Sequence, residues 1–319
     1  MRRSTLLTAG GAATLTMACV LPARAQAPAA DLLTVHVAMT TDDSAMPVLY
    51  ALQTGRFRQA GLDVRIERTT SGSATAAGVA GGSFDIGKSS LTSILSAHQR
   101  GFPFVMLAPG DVYDPKAPSG MLIVASDSAI QTAKDLTNTT IACASLSSID
   151  NVAIQAWLAQ NGGDITRVKF VELPQSEAGA AIAAHRVSAA LIVHPQLDAA
   201  LATGKVRVLA PAFGAIASSF LISTWFTTSS WADKHPEAVA TFSRILEESA
   251  LYANAHHAET APILAEFSKI PLEVVEHMQR GVLGTQLTPA LVQPVIDAAA
   301  KYGLLARPFP AREIIYTRK

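Results

Sequence analysis

The residue types able to do chemistry fall into a few short polar clusters. They are Thr40-Thr41-Asp42-Asp43-Ser44, Thr69-Thr70-Ser71-Gly72-Ser73, Lys88-Ser89-Ser90, Ser145-Leu146-Ser147-Ser148 and His194-Pro195-Gln196. Hydroxyls and small residues dominate, and no cluster pairs a nucleophile with an obvious base. The chain has no G-x-S-x-G, no H-E-x-x-H and no paired cysteines, the usual signatures of acyl transfer, zinc hydrolysis and thiol redox chemistry. Clusters of this kind grip a small molecule through hydroxyl and amide hydrogen bonds and leave its covalent bonds alone. Residues 82–89, Gly-Ser-Phe-Asp-Ile-Gly-Lys-Ser, do fit the spacing G-x-x-x-x-G-K-[ST] of a phosphate-cradling loop. Such a loop needs a buried strand before its first glycine, whereas residues 74–80 are small and read as a helix. Phe84 and Ile86 alternate as a strand does, and no later apolar run ends in an Asp to hold magnesium. The match is a coincidence of spacing. Lys88 keeps an interest of its own as a lone cation beside Ser89 and Ser90, able to meet an anionic head group or simply to be solvated at a strand end.

The clusters sit where strands give way to helices. Leu62, Val64 and Ile66 alternate with Asp63, Arg65 and Glu67, which predicts a strand with one buried face. A short helix is expected over residues 74–80 with Ser73 as its cap, stopped by Gly81-Gly82. A second short strand follows at 84–87, then the elbow 88–90 opening a helix over 91–100. In a parallel α/β sheet such turns lie at the carboxyl ends of strands, where helix N-termini aim free N–H groups at a ligand. Thr40, Thr41 and Asp42 follow the first strand and belong to the same rim. Ser71, Gly72, Ser73, Lys88, Ser89 and Ser90 would act from one side, and Ser145, Ser147, Ser148 and His194 from the other. Asp42 and Asp43 read as helix caps or as contacts; facing the cleft, they would favour a cationic or zwitterionic ligand. Trp225 either walls the cleft or packs in the core, and Tyr50 could cover an apolar part of a ligand. His256-His257 has no further ligand nearby, so no metal is expected.

In chain order, strands are expected at 32–39, 62–67, 84–87 and 104–107, with a helix from Pro47 that carries Phe57 and Ala60 and ends at Gly61. Residues 109–119 read as a loop. A second unit has strands at 121–124, 140–143, 168–173, 189–193 and 206–209, with intervening helices to Gln160, over 177–185 and to Thr203. One strand is expected at 220–226. After it come helices only, at 236–255, 262–267, 272–279 and 289–302, with Pro294 breaking or kinking the last. The order helix, short strand, polar elbow occurs at 74–90 and again at 177–196, which suggests two lobes of one design.

Apolar residues make up 49% of the chain and charged ones 16%, so a filled core is expected and disorder is not. Lys+Arg and Asp+Glu both number 25, without a block of either sign, which gives no support to nucleic-acid or membrane-surface binding. Residues 1–25 read as a cleavable leader: Arg2-Arg3, an apolar run over 6–21, and Ala23-Arg24-Ala25 before Gln26. Either the general secretory or the twin-arginine route fits it. Cys19 lies in a poor lipoprotein context. Beyond residue 25 only Cys143 remains, so no internal disulfide is expected.

A resemblance covers nearly all of the chain after the leader. Pro47-Val48-Leu49-Tyr50-Ala51, Gly55-Arg56-Phe57, Gly61-Leu62-Asp63-Val64, Ser71-Gly72-Ser73 and Phe84-Asp85-Ile86-Gly87 resemble the signature of periplasmic solute-binding proteins of the nitrate/sulfonate/taurine type, the NMT1/THI5-like, SsuA-like group of ABC importers. Ser223-Thr224-Trp225-Phe226, His235-Pro236-Glu237 and Tyr252-Ala253-Asn254 continue it. The resemblance implies an α/β periplasmic binding protein fold of type II, two lobes with a ligand cleft between them and a helical C-terminal region. Residues 31–118 plus 220–319 would form lobe one and 119–219 lobe two. It further implies a monomer in the periplasm that delivers a small organic anion, a sulfonate or carboxylate, to ABC permease subunits, with no cofactor. Two alternatives share the fold: an enzyme like the thiamin-pyrimidine synthases, and a periplasmic sensor. The synthases carry a cysteine-rich iron motif and a sacrificial histidine, and this chain, with a single cysteine after its leader, departs from them there.

Overall fold

A computed structural model describes residues 32–317 of the chain. The expected leader, its cleavage after Ala25 and Cys19 lie outside the described residues. Thirteen strands occur among the described residues: β1 Leu33–Met39, β2 Leu62–Arg68, β3 Ile86–Ser90, β4 Phe104–Pro109, β5 Asp111–Tyr113, β6 Gly120–Ala125, β7 Thr140–Cys143, β8 Lys169–Glu172, β9 Ala189–Val193, β10 Val206–Ala210, β11 Phe220–Leu221, β12 Ser223–Thr228 and β13 Val282–Leu283. The helices that frame the site are α1 Met46–Gln53, α2 Arg56–Gln59, α3 Gly72–Ala80, α4 Leu91–Gln99, α5 Ile149–Gln160, α6 Gln175–Ala183 and α7 Gln196–Ala202. The later ones are α8 Ser229–Lys234, α9 Pro236–Ala255, α10 His257–Ser268, α11 Leu272–His277 and α12 Pro289–Lys301.

Two five-stranded sheets carry the fold, in the orders β2-β1-β3-β12-β4 and β10-β6-β9-β7-β8. In each, a parallel set (β2, β1, β3 and β8, β7, β9) is extended by an antiparallel neighbour, β12 on β3 and β6 on β9. Because the parallel strands run the same way, their carboxyl ends, and the polar turns after them, collect at one edge. A third, small sheet in the order β11-β5-β13 joins segments that lead out of and back into the first sheet. Its register sets Asp111 opposite Leu283 and Val112 opposite both Leu221 and Val282. The first sheet packs on α1, α2 and α9 through Val35, Val37, Leu49, Phe57, Trp225 and Phe242. The second packs on α6 and α7 through Ile123, Ile182, Ile192 and Leu197. A further cluster runs from Leu95 of α4 through Ile149 and Val152 of α5 to Val292 and Ile296 of α12.

Several expectations need correction. Gly55 takes a left-handed conformation at φ 70°, which splits the helix expected from Pro47 into α1 and α2. The cap of α3 is Ser71, not Ser73: its side chain accepts from the Ala74 N–H, and the helix starts two residues earlier than expected. Lys88, Ser89 and Ser90 are the end of β3 rather than a turn, which also removes them from any phosphate-loop geometry. The 109–119 loop contains β5. Residues 220–228 form two strands in different sheets, β11 and β12, and β13 interrupts the helical tail. α12 runs on through Pro294, which leaves the Ala290 carbonyl without its i+4 donor but does not end the helix.

Candidate functional site

At the carboxyl edge of the parallel strands lies a cavity of about 330 Å³, lined from both five-stranded sheets and from the small one. That is at the small end of the usual range for ligand pockets, about 300–1,000 Å³.

Its floor is a chain of charged and hydroxyl groups. The turn after β1 tightens into a short 3-10 helix, and Asp42 caps it by accepting from the Ser44 N–H at 3.1 Å. Lys88 reaches over from β3 and donates to Asp42 Oδ1 at 2.5 Å and to Ser44 Oγ at 2.6 Å. Thr40 Oγ1 donates to Asp42 Oδ2 at 2.6 Å. Burial works to raise the Asp42 carboxyl, but Lys88, with Ser44 and Thr40, brings it below its ordinary value. Asp43 is matched in the same way by Arg280, whose Nη2 lies 2.7 Å from Asp43 Oδ1, and by the Gly281 N–H at 3.1 Å. Asp111 has no such cation. Its Oδ1 accepts from Ser223 Oγ at 2.5 Å, and that hydroxyl lies 3.4 Å from Ser44 Oγ, so the network is continuous from Asp42 to Asp111. Burial first, and then the charge of Asp42, push the Asp111 carboxyl up to about 6. Ser223 and Lys88 offset part of that rise.

The opposite wall is the start of α5. Ser148 Oγ donates to the Ser145 carbonyl at 2.5 Å and accepts from the Ser145 N–H at 3.2 Å. Asp150 takes the Ala144 N–H at 2.8 Å. Burial raises its carboxyl, against the hydrogen bonds it receives from Ser148 and backbone amides. The two walls touch directly. Ser90 Oγ accepts from the Ile149 N–H at 2.9 Å, Thr92 Oγ1 donates to the Ser147 carbonyl at 2.8 Å, and Gln196 Nε2 donates to the Thr41 carbonyl at 2.5 Å. Between these bridges, Phe213, Ile222 and Leu283 give the cavity an apolar surface.

Most of the residues singled out from the sequence come together here. Thr40, Thr41, Asp42, Ser71 and Gly72 line the cavity, as do Lys88, Ser89 and Ser90 and, from the other wall, Ser145, Ser148 and His194. Three do not. Ser73 turns to Ser71, 3.0 Å between hydroxyls. Ser147 offers its carbonyl to Thr92 and Ser93 and acts as a brace. Trp225 is fully buried in the core, edge-on to Phe242 at 5.8 Å, so its packing reading is the right one. Tyr50 likewise stacks on Tyr252 at 4.5 Å, away from the cavity. Lys88 and His194 are present without being available. The Lys88 ammonium is held by Asp42 and Ser44, and the His194 ring nitrogens face Asp198 and the Pro118 carbonyl. Sequence reasoning missed Asp111, Ser119, Asp150, Gln196 and Ser223. Gln196 belongs to the cluster His194-Pro195-Gln196 without having been singled out as a contact, Asp150 adjoins the cluster 145–148, and Asp111 and Ser119 lie in the segment read as a loop. Among the described residues no group of three or more His, Cys, Asp or Glu side chains could hold a metal ion. The Cys143 thiol is buried, and burial pushes it well above its ordinary value, which leaves it a poor nucleophile.

Comparison with solved structures finds the same fold in the periplasmic aliphatic sulphonate-binding protein SsuA from Escherichia coli, with a TM-score of 0.71, 20% identity, and coverage of 90% of this chain and 92% of that one. The alkanesulfonate-binding protein SsuA from Xanthomonas axonopodis pv. citri, bound to MOPS, gives 0.75 at 21% identity, covering 90% and 99%. The periplasmic nitrate-binding protein NrtA from Synechocystis PCC 6803 gives 0.74 at 15%, covering 88% and 83%. Among curated protein sequences no relative matches at a significant level. The fold is therefore that of the periplasmic binding proteins, type II, with two α/β lobes and a cleft between them. The family profile described as NMT1/THI5 like matches residues 43–260, more than half of the chain. The protein belongs to the NMT1/THI5-like family.

Proposed function

We propose that the protein is an exported solute-binding protein that captures a small molecule in the cleft and delivers it to the permease subunits of an ABC importer. The observation that carries this reading is the cavity itself. It is bridged by direct hydrogen bonds between the two walls and lined by hydroxyls, amides and carboxylates, groups that hold a small molecule by hydrogen bonding. Contacts from both lobes to one ligand make binding and lobe closure a single event, which is what a permease can read. Structural neighbours that bind sulfonate and nitrate support a transport role over the enzyme and sensor alternatives. Residues 31–118 with 220–319 would form one lobe and 119–219 the other, a reading that the assignment of strands to the two large sheets supports. The leader expected over residues 1–25 supports a periplasmic location.

The small organic anion expected from the resemblance has less support. One helix start, that of α3, leaves the Gly72 amide without an acceptor among the described residues. Against it, the Ile149 N–H of α5 is taken by Ser90 and the Leu91 N–H of α4 by the Ile222 carbonyl, and both nearby cations are paired with carboxylates. Titration calorimetry on the purified protein, followed by mass spectrometry of the recovered compound, tests the reading. Saturable binding with unchanged compound is expected; conversion to a product would replace it with an enzyme.

A further inference from the structure

The charges around the cavity do not balance. Asp42 is matched by Lys88 and Asp43 by Arg280, one cation to each carboxylate. Asp111 lies within the same network with only a hydroxyl partner, and no cationic side chain makes an ion pair with it among the described residues. Asp150, on the facing wall, receives hydrogen bonds but no counter-charge either. At neutral pH the Asp111 carboxylate is thus a negative charge without a paired cation in a place largely removed from water, where a charge is costly without a partner.

A second, independent feature lies in the same lining. Ser119 Oγ and Gln196 Oε1 are buried and have no hydrogen-bond partner. Both belong to the cavity wall, Ser119 being 5% exposed. Gln196 Oε1 can only accept, and Ser119 Oγ can accept as well as donate. Unsatisfied acceptors are rare in folded proteins and imply an absent donor. The ligand that would satisfy both features carries positive charge and more than one N–H.

We infer that the cleft receives a ligand through a protonated nitrogen head group, an amine, a guanidine or a protonated amino-heterocycle, seated at Asp111 with Ser119 and Gln196 as further acceptors. This rests on the reading of the cleft as a solute-binding site. The rest of the ligand would lie along Phe213, Ile222 and Leu283. The raised pKa of Asp111 fits the assignment, because a carboxylate with no cation gains one when the ligand enters. The charged groups facing Asp111 are Asp42 and Lys88 from the β1 turn and β3, with the Asp43–Arg280 pair beyond Gly281 and His194 with Asp198 across the cleft.

The test is a matched panel: alkyl and aryl amines and guanidines, set against carboxylates and sulfonates of the same carbon skeletons, each measured by thermal shift and calorimetry. Amines or guanidines are expected to bind and the matched acids not to. Binding of a guanidine, whose charge is fixed, should tighten as pH rises from 5 to 7.5, because Asp111 ionises over that range. Asp111→Asn should weaken it by roughly 30-fold or more, and Ser119→Ala, which leaves the ion network intact, should weaken it less. Circular dichroism confirms that each variant is folded. Binding by the acids alone, or guanidine binding that weakens with rising pH, overturns the inference and leaves the solute-binding reading standing. Binding by neither set overturns the inference and counts against that reading too.

Discussion

Asp111 offers the clearest physical test that needs no ligand. Its carboxyl is pushed up to about 6 from 3.8 in the folded protein, so at neutral pH the fold carries an ionised group in a place that disfavours it. The folded pKa lies above the unfolded one, so the folded state holds the extra proton between these values. Stability therefore falls as pH rises through that window, from about 4 to about 6. A rise of roughly two units corresponds to about 3 kcal/mol at 1.36 kcal/mol per unit. Asp111→Asn removes the ionisation and keeps an oxygen to accept from Ser223 Oγ. In urea unfolding without ligand, the Asn variant should be more stable than the parent by about 1–3 kcal/mol at pH 7.5 and close to it at pH 4. The Asp42 carboxyl, lowered in the fold, makes both proteins less stable as pH drops, and this common loss cancels in the difference. A difference that stays the same at both pH values, or a variant that loses more stability at pH 7.5 than at pH 4, refutes the burial argument.

Lys88→Met should destabilise by about 3–5 kcal/mol because it strands the Asp42 carboxylate, and adding Asp42→Asn should restore much of that loss in a double-mutant cycle read by urea unfolding. Gly72→Ala would set a Cβ 2.3 Å from Ser89 Oγ and 3.2 Å from the Ser90 nitrogen, so a lowered Tm worth about 1–3 kcal/mol is expected from overpacking. Trp225→Ala should cost about 3–5 kcal/mol as a core cavity while leaving the preference between amines and acids unchanged; calorimetry showing an altered preference would return Trp225 to the cleft wall.

The alternation Leu62-Val64-Ile66 and the small-residue run of α3 were legible because period and composition are local properties. So was the gathering of polar turns at one edge, which follows from parallel strands. The end of β3 was not legible. Lys88-Ser89-Ser90 looks like a turn by composition, yet β12 pairs with all three residues and holds them as a strand, continuing the stretch Ile86-Gly87 that pairs with β1. Tertiary pairing overrides local preference there. β5 and β13 are too short to show a period; β5 is held between β11 and β13, and β13 has β5 as its partner. Asp111 was missed for that reason. Lys88 and His194 were found by residue type, but their partners Asp42 and Asp198 decide what they do, and type alone cannot show whether a charge is already matched. Trp225 illustrates the same limit: its size marked it as notable, and only the packing on Phe242 assigned it to the core.

The most direct test is a crystal structure, at pH 7.5, of the protein with the tightest-binding compound from the matched panel. The expected result is a single ligand in the cleft, with a nitrogen within hydrogen-bond distance of the Asp111 carboxylate and further donors to Ser119 or Gln196. An acidic group bound at the Gly72 amide with Asp111 unengaged, or a ligand outside the cleft, would contradict it.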